Sequence, residues 1–204
     1  FTINRYGKNE SLHFADVPMP DVGDHEVLVQ TCAAGINRLD SMIKNGEFKL
    51  LLPYKLPLIL GNDVAGVVTK IGSKVQSFKI GDEVYARPDK DRIGTYAEYI
   101  AMNERDVALK PKNISMEEAA SIPLVGLTAW QALVEIAKLS KGQKVLIQAG
   151  SGGVGTIAIQ LAKWLGATVA TTASQKSFDL VKSLGADVVI DYQKDDFEII
   201  LSDY

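Results

Sequence analysis

The stretch KVLIQAGSGGVG, residues 144–155, decides the fold of this chain. Its apolar run at residues 145–147 predicts a strand of a parallel sheet that is buried on both faces. The following loop has glycines at G-x-G-x-x-G spacing and reads Gly150, Ser151, Gly152, Gly153, Val154, Gly155. Apolar residues then recur at helical spacing between 157 and 165, and Gly166 ends the predicted helix. This order predicts an anion site, because a helix N-terminus presents unpaired N–H groups to a pyrophosphate.

The segments after the glycine loop favour the same interpretation. Residues 167–172 predict a second strand, residues 177–184 a second helix, and residues 187–191 a third strand. A β-α-β-α-β order is typical of one mononucleotide-binding half of a doubly wound α/β sheet. A glycine-rich turn by itself is equally compatible with a plain structural loop, so the prediction of a dinucleotide site depends on this order of elements.

Composition and charge exclude several classes of protein. The chain has 204 residues, 47% of them hydrophobic and 23% charged, with a formal net charge of -3. This charge gives no indication of nucleic-acid binding. The sequence has neither an apolar run long enough for a bilayer nor a secretion signal at its start, so we expect a cytoplasmic protein. The one cysteine, Cys32, excludes an internal disulfide and is expected to be buried in an apolar strand.

The part of the chain before Pro111 predicts a β-rich domain, because short strands alternate with glycine, proline and aspartate turns. One short helix is expected at residues 37–45. The expected strands lie at residues 26–34, 62–71, 83–86 and 95–102.

The character of the sequence changes at Ser115. Ser115 and Glu118 have capping-box spacing, which predicts the start of a helix. Pro123 is expected to interrupt that helix before a second helical run at residues 128–139. We therefore expect the boundary between two domains at Pro123. The second domain stops after the third of six expected strands, which predicts a truncated sheet.

Seven motifs occur along the chain in one order. They are PMPDVGDHEVLV at residues 18–29, GINRLD at 35–40, LPLILGNDVAGVV at 56–68, VQSFKIGDEVYA at 75–86, TYAEY at 95–99, GLTAW at 126–130 and AGSGGVG at 149–155. Together they resemble the medium-chain dehydrogenase/reductase superfamily, and within it the zinc-free quinone oxidoreductase (zeta-crystallin-like) branch. A collinear set of seven motifs is far more specific than any one of them.

The resemblance implies a fold of the class α/β plus β. A GroES-like β-barrel domain for substrate and catalysis is expected at residues 1–123. The first half of a Rossmann-type NADP-binding domain is expected at residues 124–204, with the remainder of that domain absent. The resemblance also implies a homodimer when the protein is intact.

The same resemblance allows zinc to be considered position by position. Alcohol dehydrogenases of this superfamily hold catalytic zinc with a cysteine where this chain has Asn37, a histidine at Asn62 and a second cysteine near Val125. Zinc takes thiolate, imidazole or carboxylate ligands, and neither a carboxamide nor a valine replaces them. His13 and His25 are lone residues, more typical of surface side chains than of metal ligands. We therefore predict that there is no metal site, and alcohol oxidation is disfavoured without a Lewis acid.

The end of the second predicted strand favours NADPH over NADH. An NAD site places an acidic residue about 20 residues after the glycines, on the ribose 2′-hydroxyl. Residues 171–176 read TTASQK, with no acid and one lysine. By resemblance, Ser174, Lys176 and Tyr192 match positions that hold the 2′-phosphate. The alternative is that Lys176 is only an exposed residue of the second helix and Tyr192 a surface residue.

By resemblance, Asn37 and Asp40 match the polar pair beside the nicotinamide, and Thr128 matches a residue that reaches the cofactor. Asn37 could donate a hydrogen bond to a quinone or enolate oxygen and stabilise developing negative charge. A purely structural alternative is that Asn37 caps the short helix, with Asp40 in its first turn. Relatives commonly have a tyrosine where this chain has Met42, so its substrate preference could be more apolar.

These residues predict an NADPH-dependent oxidoreductase that transfers hydride, without zinc, to a small apolar electrophile. Quinones and α,β-unsaturated carbonyls both fit, and the sequence does not separate them. The alternative is an NADPH-binding, crystallin-like or RNA-associated protein with little or no catalysis, against which the negative charge argues mildly. A zinc alcohol dehydrogenase is a more distant alternative.

Overall fold

The computed structural model describes residues 1–202. Its internal contacts divide the chain into two compact units, Phe1–Leu124 and the segment from Val125 onward.

The first unit is built mainly from antiparallel strands, which confirms the β-rich character predicted for it. Strands β2, β4, β5, β6 and β7 form one sheet in the order β6-β2-β4-β5-β7, while β1 and β3 form a separate pair. The elements are β1 (Thr2–Ile3), β2 (Glu26–Gly35), α1 (Arg38–Asn45), β3 (Leu58–Ile59), β4 (Asp63–Ile71), β5 (Glu83–Ala86), β6 (Tyr99–Asn103), β7 (Val107–Leu109) and α2 (Met116–Ala120).

Two apolar clusters of the first unit position its polar residues. The larger cluster lies on the sheet and contains Val27, Val64 and Val84, none of them exposed to solvent. A smaller cluster joins Ile3 of β1, Leu58 of β3 and Ile43 of α1. Because Ile43 is buried there with Leu60, α1 packs against the segment that leads into β4.

Strand β6 is shorter than predicted, and the difference places Tyr96. The sequence predicts a strand from residue 95, but β6 begins at Tyr99. The backbone N–H groups of Thr95 and Tyr96 instead donate to the carbonyls of Gly61, at 3.3 Å, and Leu60, at 2.9 Å. These bonds hold Tyr96 in a loop beside the start of β4.

The prediction that Cys32 is buried is wrong, since this side chain is exposed. Strand β2 pairs with β4 in a register that shifts between Thr31 and Ala33, so Cys32 has no partner residue in that register. A β-bulge inserts one extra residue into a strand and redirects its side chain. Strict alternation along the sequence does not reveal such a shift.

The predicted interruption at Pro123 is present, since α2 ends at Ala120, but the second helix begins before residue 128. Pro123 is the first residue of α3 (Pro123–Trp130), which is followed by a π-helical segment, Gln131–Ile136. Proline is well tolerated at the first position of a helix, because the N–H it lacks would have no partner there. The predicted start of α2 is confirmed: Glu118 N donates to Ser115 Oγ at 3.1 Å, and Ser115 N to Glu118 Oε2 at 2.8 Å.

The second unit contains the predicted β-α-β-α-β order. Its three strands are parallel and lie in the order β10-β9-β8. Apolar side chains of the helices and strands, among them Ile159, Val169 and Val181, form one core. The elements after α3 are β8 (Lys144–Ile147), α4 (Gly153–Trp164), β9 (Thr168–Ala173), α5 (Phe178–Ser183), β10 (Val188–Asp191) and α6 (Phe197–Ile200).

Strand β8 is parallel as predicted, but it is not buried on both faces. Ile147 is buried, whereas Val145 and Leu146 are half-buried and Lys144 is exposed. Strand β8 is an edge of the three-stranded sheet, so fewer neighbours cover it. The central strand β9 has the buried character expected of β8, with five of its six residues buried.

No helix within residues 1–202 is both long and apolar enough to cross a membrane.

Candidate active site

Asn37 and Asp40 lie at the start of α1. Asn37 follows β2 and has an extended backbone, with φ of −116° and ψ of 152°. Its backbone N–H donates to Asp40 Oδ2 at 2.7 Å, and the Asp40 N–H donates to the Asn37 carbonyl at 3.0 Å. These bonds belong to a helix cap. The predicted capping role is therefore present.

The carboxylate of Asp40 is buried and fully engaged in hydrogen bonds. Only 4% of Asp40 is exposed. Its Oδ1 accepts from Asn62 Nδ2 at 2.7 Å, and its Oδ2 accepts from the Tyr96 hydroxyl at 2.8 Å as well as from Asn37 N. Burial, with the hydrogen bond and charge of Asp40, raises the pKa of Tyr96 above its ordinary value, so the phenol stays protonated and donates. Such a carboxylate organises its neighbours and has little capacity left for a substrate.

The side chain of Asn37 is half-buried and bonds to a second carboxylate. Its Nδ2 donates to Asp63 Oδ2 at 2.7 Å, while Asp63 Oδ1 accepts from Leu124 N at 2.7 Å. Burial raises the pKa of Asp63 to about 6, although the bonds from Asn37 and Leu124 act in the opposite direction. One Nδ2 hydrogen of Asn37 is thus left over from this pairing for a further bond, while its side-chain oxygen faces the backbone N–H of Asp40 in the capping box.

The residues Asn37, Asp40, Asn62, Asp63 and Tyr96 are called the polar network below. Of these five residues, the sequence predicts only Asn37 and Asp40 as site residues. Asn62 appeared only as a lost zinc position, while Asp63 and Tyr96 were not identified at all. They are distant from α1 in sequence, and their role depends on the pairing of β2 with β4, which sets Gly35 opposite Asp63.

The glycine loop of the second unit is held by close contacts with β9. A Cβ at Gly150 would lie 2.1 Å from Thr171 Oγ1, and one at Gly155 would lie 2.4 Å from the Ala149 carbonyl oxygen. Both positions therefore require glycine for packing within the unit. The loop is also tied by Ala149 N, which donates to Thr172 Oγ1 at 2.9 Å.

Gly152 differs from these two glycines. A Cβ at Gly152 would meet only the Ala149 carbonyl oxygen, at 3.2 Å. Internal packing therefore explains Gly152 less well than Gly150, whereas approach of a ligand to the backbone explains it directly. Gly152 is the N-cap of α4, so the N–H groups of Gly153, Val154 and Gly155 lie in the first turn of a 12-residue helix and have no acceptor within it. This arrangement suits a phosphate.

The three residues predicted to hold a 2′-phosphate lie together. Ser174, Lys176 and Tyr192 line one open cavity of about 550 Å³, with Gln175 and Gln193. Lys176 is exposed, and Tyr192 is 60% exposed. The sequence reasoning missed the two glutamines and Lys194, whose Nζ lies 3.1 Å from Gln175 Oε1. Gln175 and Gln193 adjoin predicted residues in the sequence, and the two segments meet because β9 pairs with β10.

Two family models match the chain. The one described as alcohol dehydrogenase GroES-like domain matches residues 23–112, and the one described as zinc-binding dehydrogenase matches residues 153–203. The quinone oxidoreductase from Coxiella burnetii has a similar structure, with a TM-score of 0.88 and 38% identity over 98% of this chain. The chain belongs to the medium-chain dehydrogenase/reductase superfamily. Its predicted fold, a GroES-like domain followed by part of a Rossmann-type domain, is confirmed.

Relatives place this superfamily member in the quinone oxidoreductase-like branch. The 2-methylene-furan-3-one reductase of Solanum lycopersicum is 45% identical over 95% of this chain. The chloroplastic NADPH-dependent alkenal/one oxidoreductase of Arabidopsis thaliana is 42% identical over 93% of it. The chain spans about half the length of these relatives, 52% and 51%, and 63% of the Coxiella chain.

The residues at the superfamily's zinc positions do not fit zinc. The side-chain amides of Asn37 and Asn62 donate to carboxylates, and Val125 offers only an alkyl group. Within residues 1–202, no group of three or more histidine, cysteine, aspartate or glutamate side chains could hold a metal ion. His13 and His25 lie beside Glu10 and Glu104, at 3.2 Å and 3.9 Å, on the surface.

The predicted site residues thus form three sets. Asn37 and Asp40 meet in the polar network of the first unit. The glycine-loop residues form one set in the second unit, and Ser174, Lys176 and Tyr192 form another. Thr128 is exposed on α3 and does not line the cavity of Ser174, Lys176 and Tyr192.

Proposed function

We propose that the intact protein is an NADPH-dependent oxidoreductase that transfers hydride to quinones or α,β-unsaturated carbonyls without zinc. The observation that carries this proposal is the glycine loop with Gly152 open to a ligand, followed by a second strand whose end has no acidic residue. The names of the tomato and Arabidopsis relatives, both reductases of compounds of this kind, support it.

We assign the cofactor to the residues of the second unit. The N–H groups of the loop and the first turn of α4 bind the pyrophosphate, and Thr128 contacts the cofactor from α3. Lys176 supplies positive charge to the 2′-phosphate, while Ser174 and Tyr192 supply hydroxyls. When bound, NADPH supplies the hydride.

We assign the stabilisation of charge on the substrate to Asn37. Hydride addition to a quinone or enone leaves negative charge on oxygen, and an N–H donor aimed at that oxygen lowers the barrier. Asp40 touches no reacting atom in this proposal, because its two oxygens are engaged by Asn37, Asn62 and Tyr96. It holds the start of α1 in place.

The test is NADPH oxidation by the intact protein with a panel of quinones and enones, with NADH measured in parallel. We expect turnover with NADPH and a clear preference for it over NADH. NADPH binding detected by fluorescence without turnover on any member of the panel would instead favour the non-catalytic, crystallin-like alternative. A zinc analysis of the same sample should find far less than one equivalent of metal.

An Asn37→Ala variant tests the catalytic assignment separately. We expect a fall in kcat of about a hundredfold, with NADPH affinity nearly unchanged. A wild-type kcat in this variant would remove Asn37 from the mechanism.

The boundary of the proposed catalytic and cofactor domains near residue 123, a cytoplasmic location and a homodimer remain predictions from the sequence. The Arabidopsis relative is named as chloroplastic. Fractionation of cells and the mass of the intact protein in solution would decide the location and the oligomer.

A further inference from the structure

Asp63 is a buried carboxylate with two specific partners. It begins β4 and is only 1% exposed. Its Oδ2 accepts from the side chain of Asn37 and its Oδ1 from the backbone of Leu124, each at 2.7 Å. A carboxylate can only accept hydrogen bonds, so the nitrogen of the Asn37 carboxamide, and not its oxygen, has to face Asp63.

Asp63 is itself held in place by packing. Gly35 lies opposite Asp63 in the pairing of β2 with β4. A Cβ at Gly35 would lie 2.9 Å from Asp63 Cβ and 2.4 Å from the Ala120 carbonyl oxygen. There is no room for the side chain to swing toward β2, and the bond from Leu124 N fixes its other oxygen. The carboxylate therefore has a fixed position, against which the Asn37 carboxamide is oriented.

We propose that Asp63 is a positioning residue that fixes which end of the Asn37 carboxamide is turned to the substrate. With Nδ2 bound to Asp63, one side-chain hydrogen of Asn37 remains to donate to an oxyanion. In the flipped orientation, Oδ1 of Asn37 would face the negative charge of Asp63, which is unfavourable. The catalytic consequence rests on the proposed function, whereas the orientation itself does not.

Protonation of Asp63 would release this constraint. A protonated carboxyl carries an O–H donor, to which Oδ1 of a flipped Asn37 can bond. Burial and the nearby charge of Asp40 both raise the pKa of Asp63, which reaches about 6, while Asn37, Leu124 and Arg87 favour the charged form. The orientation of Asn37 should therefore depend on pH in the range where many enzymes are assayed.

The orientation can be tested without any turnover. The intact protein, labelled with 15N-asparagine and with 13C at the aspartate carboxyls, is followed by NMR as the pH changes. We expect the Asp63 carboxyl signal to titrate with a midpoint of about 6. The signals of the Asn37 side-chain amide should shift over the same pH range. An Asn37 amide that does not respond when Asp63 titrates would overturn the proposal.

The catalytic consequence is tested with Asp63→Asn, which keeps the size of the side chain. We expect kcat to fall about tenfold with KM for NADPH within about twofold, and the decline of kcat in acid to disappear. The matched control is Asp82→Asn, at an exposed turn where Asp82 Oδ2 accepts from Lys79 N at 2.9 Å. This control should keep the wild-type rate and pH profile.

Each result bears on one claim. A wild-type kcat and pH profile in a folded Asp63→Asn protein would contradict the positioning role. If Asp63→Asn does not fold, the joint titration in the wild-type protein still decides the orientation. A wild-type protein with the expected titration but no activity on any quinone or enone would refute the proposed function and leave the orientation standing.

Discussion

The polar network of the first unit and the glycine loop of the second differ in how they are built. The network joins side chains from α1, the start of β4 and the loop before β6, separated by up to 59 positions between Asn37 and Tyr96. The loop is a continuous segment whose functional groups are backbone N–H groups at the start of α4. The polar network can be identified only once the pairing of the strands is known, whereas the glycine loop can be identified from the sequence.

This difference indicates which substitutions should damage each site. Removing one side chain from the network leaves several buried donors or acceptors without partners, which is costly. In the glycine loop the harmful change is the addition of a side chain, because the glycines leave space that neighbouring backbone and side-chain atoms occupy. We therefore expect stability to respond most in the network, and ligand binding to respond most at the loop and the end of β9.

The largest effect should come from Asp40→Ala. This change leaves the N–H groups of Asn37 and Asn62 and the hydroxyl of Tyr96 without their acceptor in a buried site. We expect a loss of about 4 kcal/mol in the free energy of unfolding, measured with urea. Asp16→Ala, at an exposed aspartate, is the control and should change it by less than about 0.5 kcal/mol. Equal losses would contradict the network.

The next effect is the pH dependence of stability that Asp63 of the polar network should cause. The raised pKa of Asp63 means that between about pH 4 and about pH 6 the folded state holds a proton that the unfolded state has released. Its contribution to stability is present below the unfolded pKa, 3.8, and is lost as pH rises through about 6. A pKa difference of this size corresponds to about 3 kcal/mol.

The measurement is the unfolding free energy of wild type and Asp63→Asn over this pH range. The unfolding free energy of the wild type relative to Asp63→Asn should fall as pH rises, by about 3 kcal/mol at most. A constant difference would show that Asp63 titrates normally.

A smaller effect separates two glycines of the loop. In Gly155→Ala the new Cβ would lie 2.4 Å from the Ala149 carbonyl oxygen, a backbone atom that cannot easily move. We expect about 2 kcal/mol of lost stability. In Gly152→Ala the contact is 3.2 Å, so the loss should stay below about 1 kcal/mol while NADPH affinity falls about tenfold. Thermal unfolding and fluorescence titration measure the two quantities, and an unchanged affinity in Gly152→Ala would contradict a ligand at this position.

The smallest expected effect is at the end of β9. Lys176 is exposed and lines one cavity together with Ser174 and Tyr192. The change Lys176→Glu replaces its positive charge by a negative charge. We expect the ratio of kcat/KM for NADPH to that for NADH to fall about tenfold, or about 1.4 kcal/mol. Lys182→Glu, exposed on α5, is the matched control and should keep the ratio. An unchanged preference in Lys176→Glu would remove Lys176 from the cofactor site.

Several features of the fold could be predicted because they depend on near neighbours in sequence. The β-α-β-α-β order follows from apolar periodicity and glycine positions, and the cap at Ser115 follows from a spacing of three residues. Other predictions failed where distant contacts decide. Cys32 is exposed because β2 shifts its register against β4, and β8 is only partly buried because it lies at an edge of its sheet.

The sequence by itself determined the family, the glycine loop and the absence of an acidic residue after the second strand, because each is a property of one short segment or of several segments in order. Only the tertiary structure decided that Asp63 faces Asn37, that Tyr96 and Asn62 share the carboxylate of Asp40, and that Gly152 is less crowded than Gly150. These facts depend on strand register and on packing between distant segments. A hydrogen bond is decided by distances of a few tenths of an ångström, which local sequence patterns do not specify.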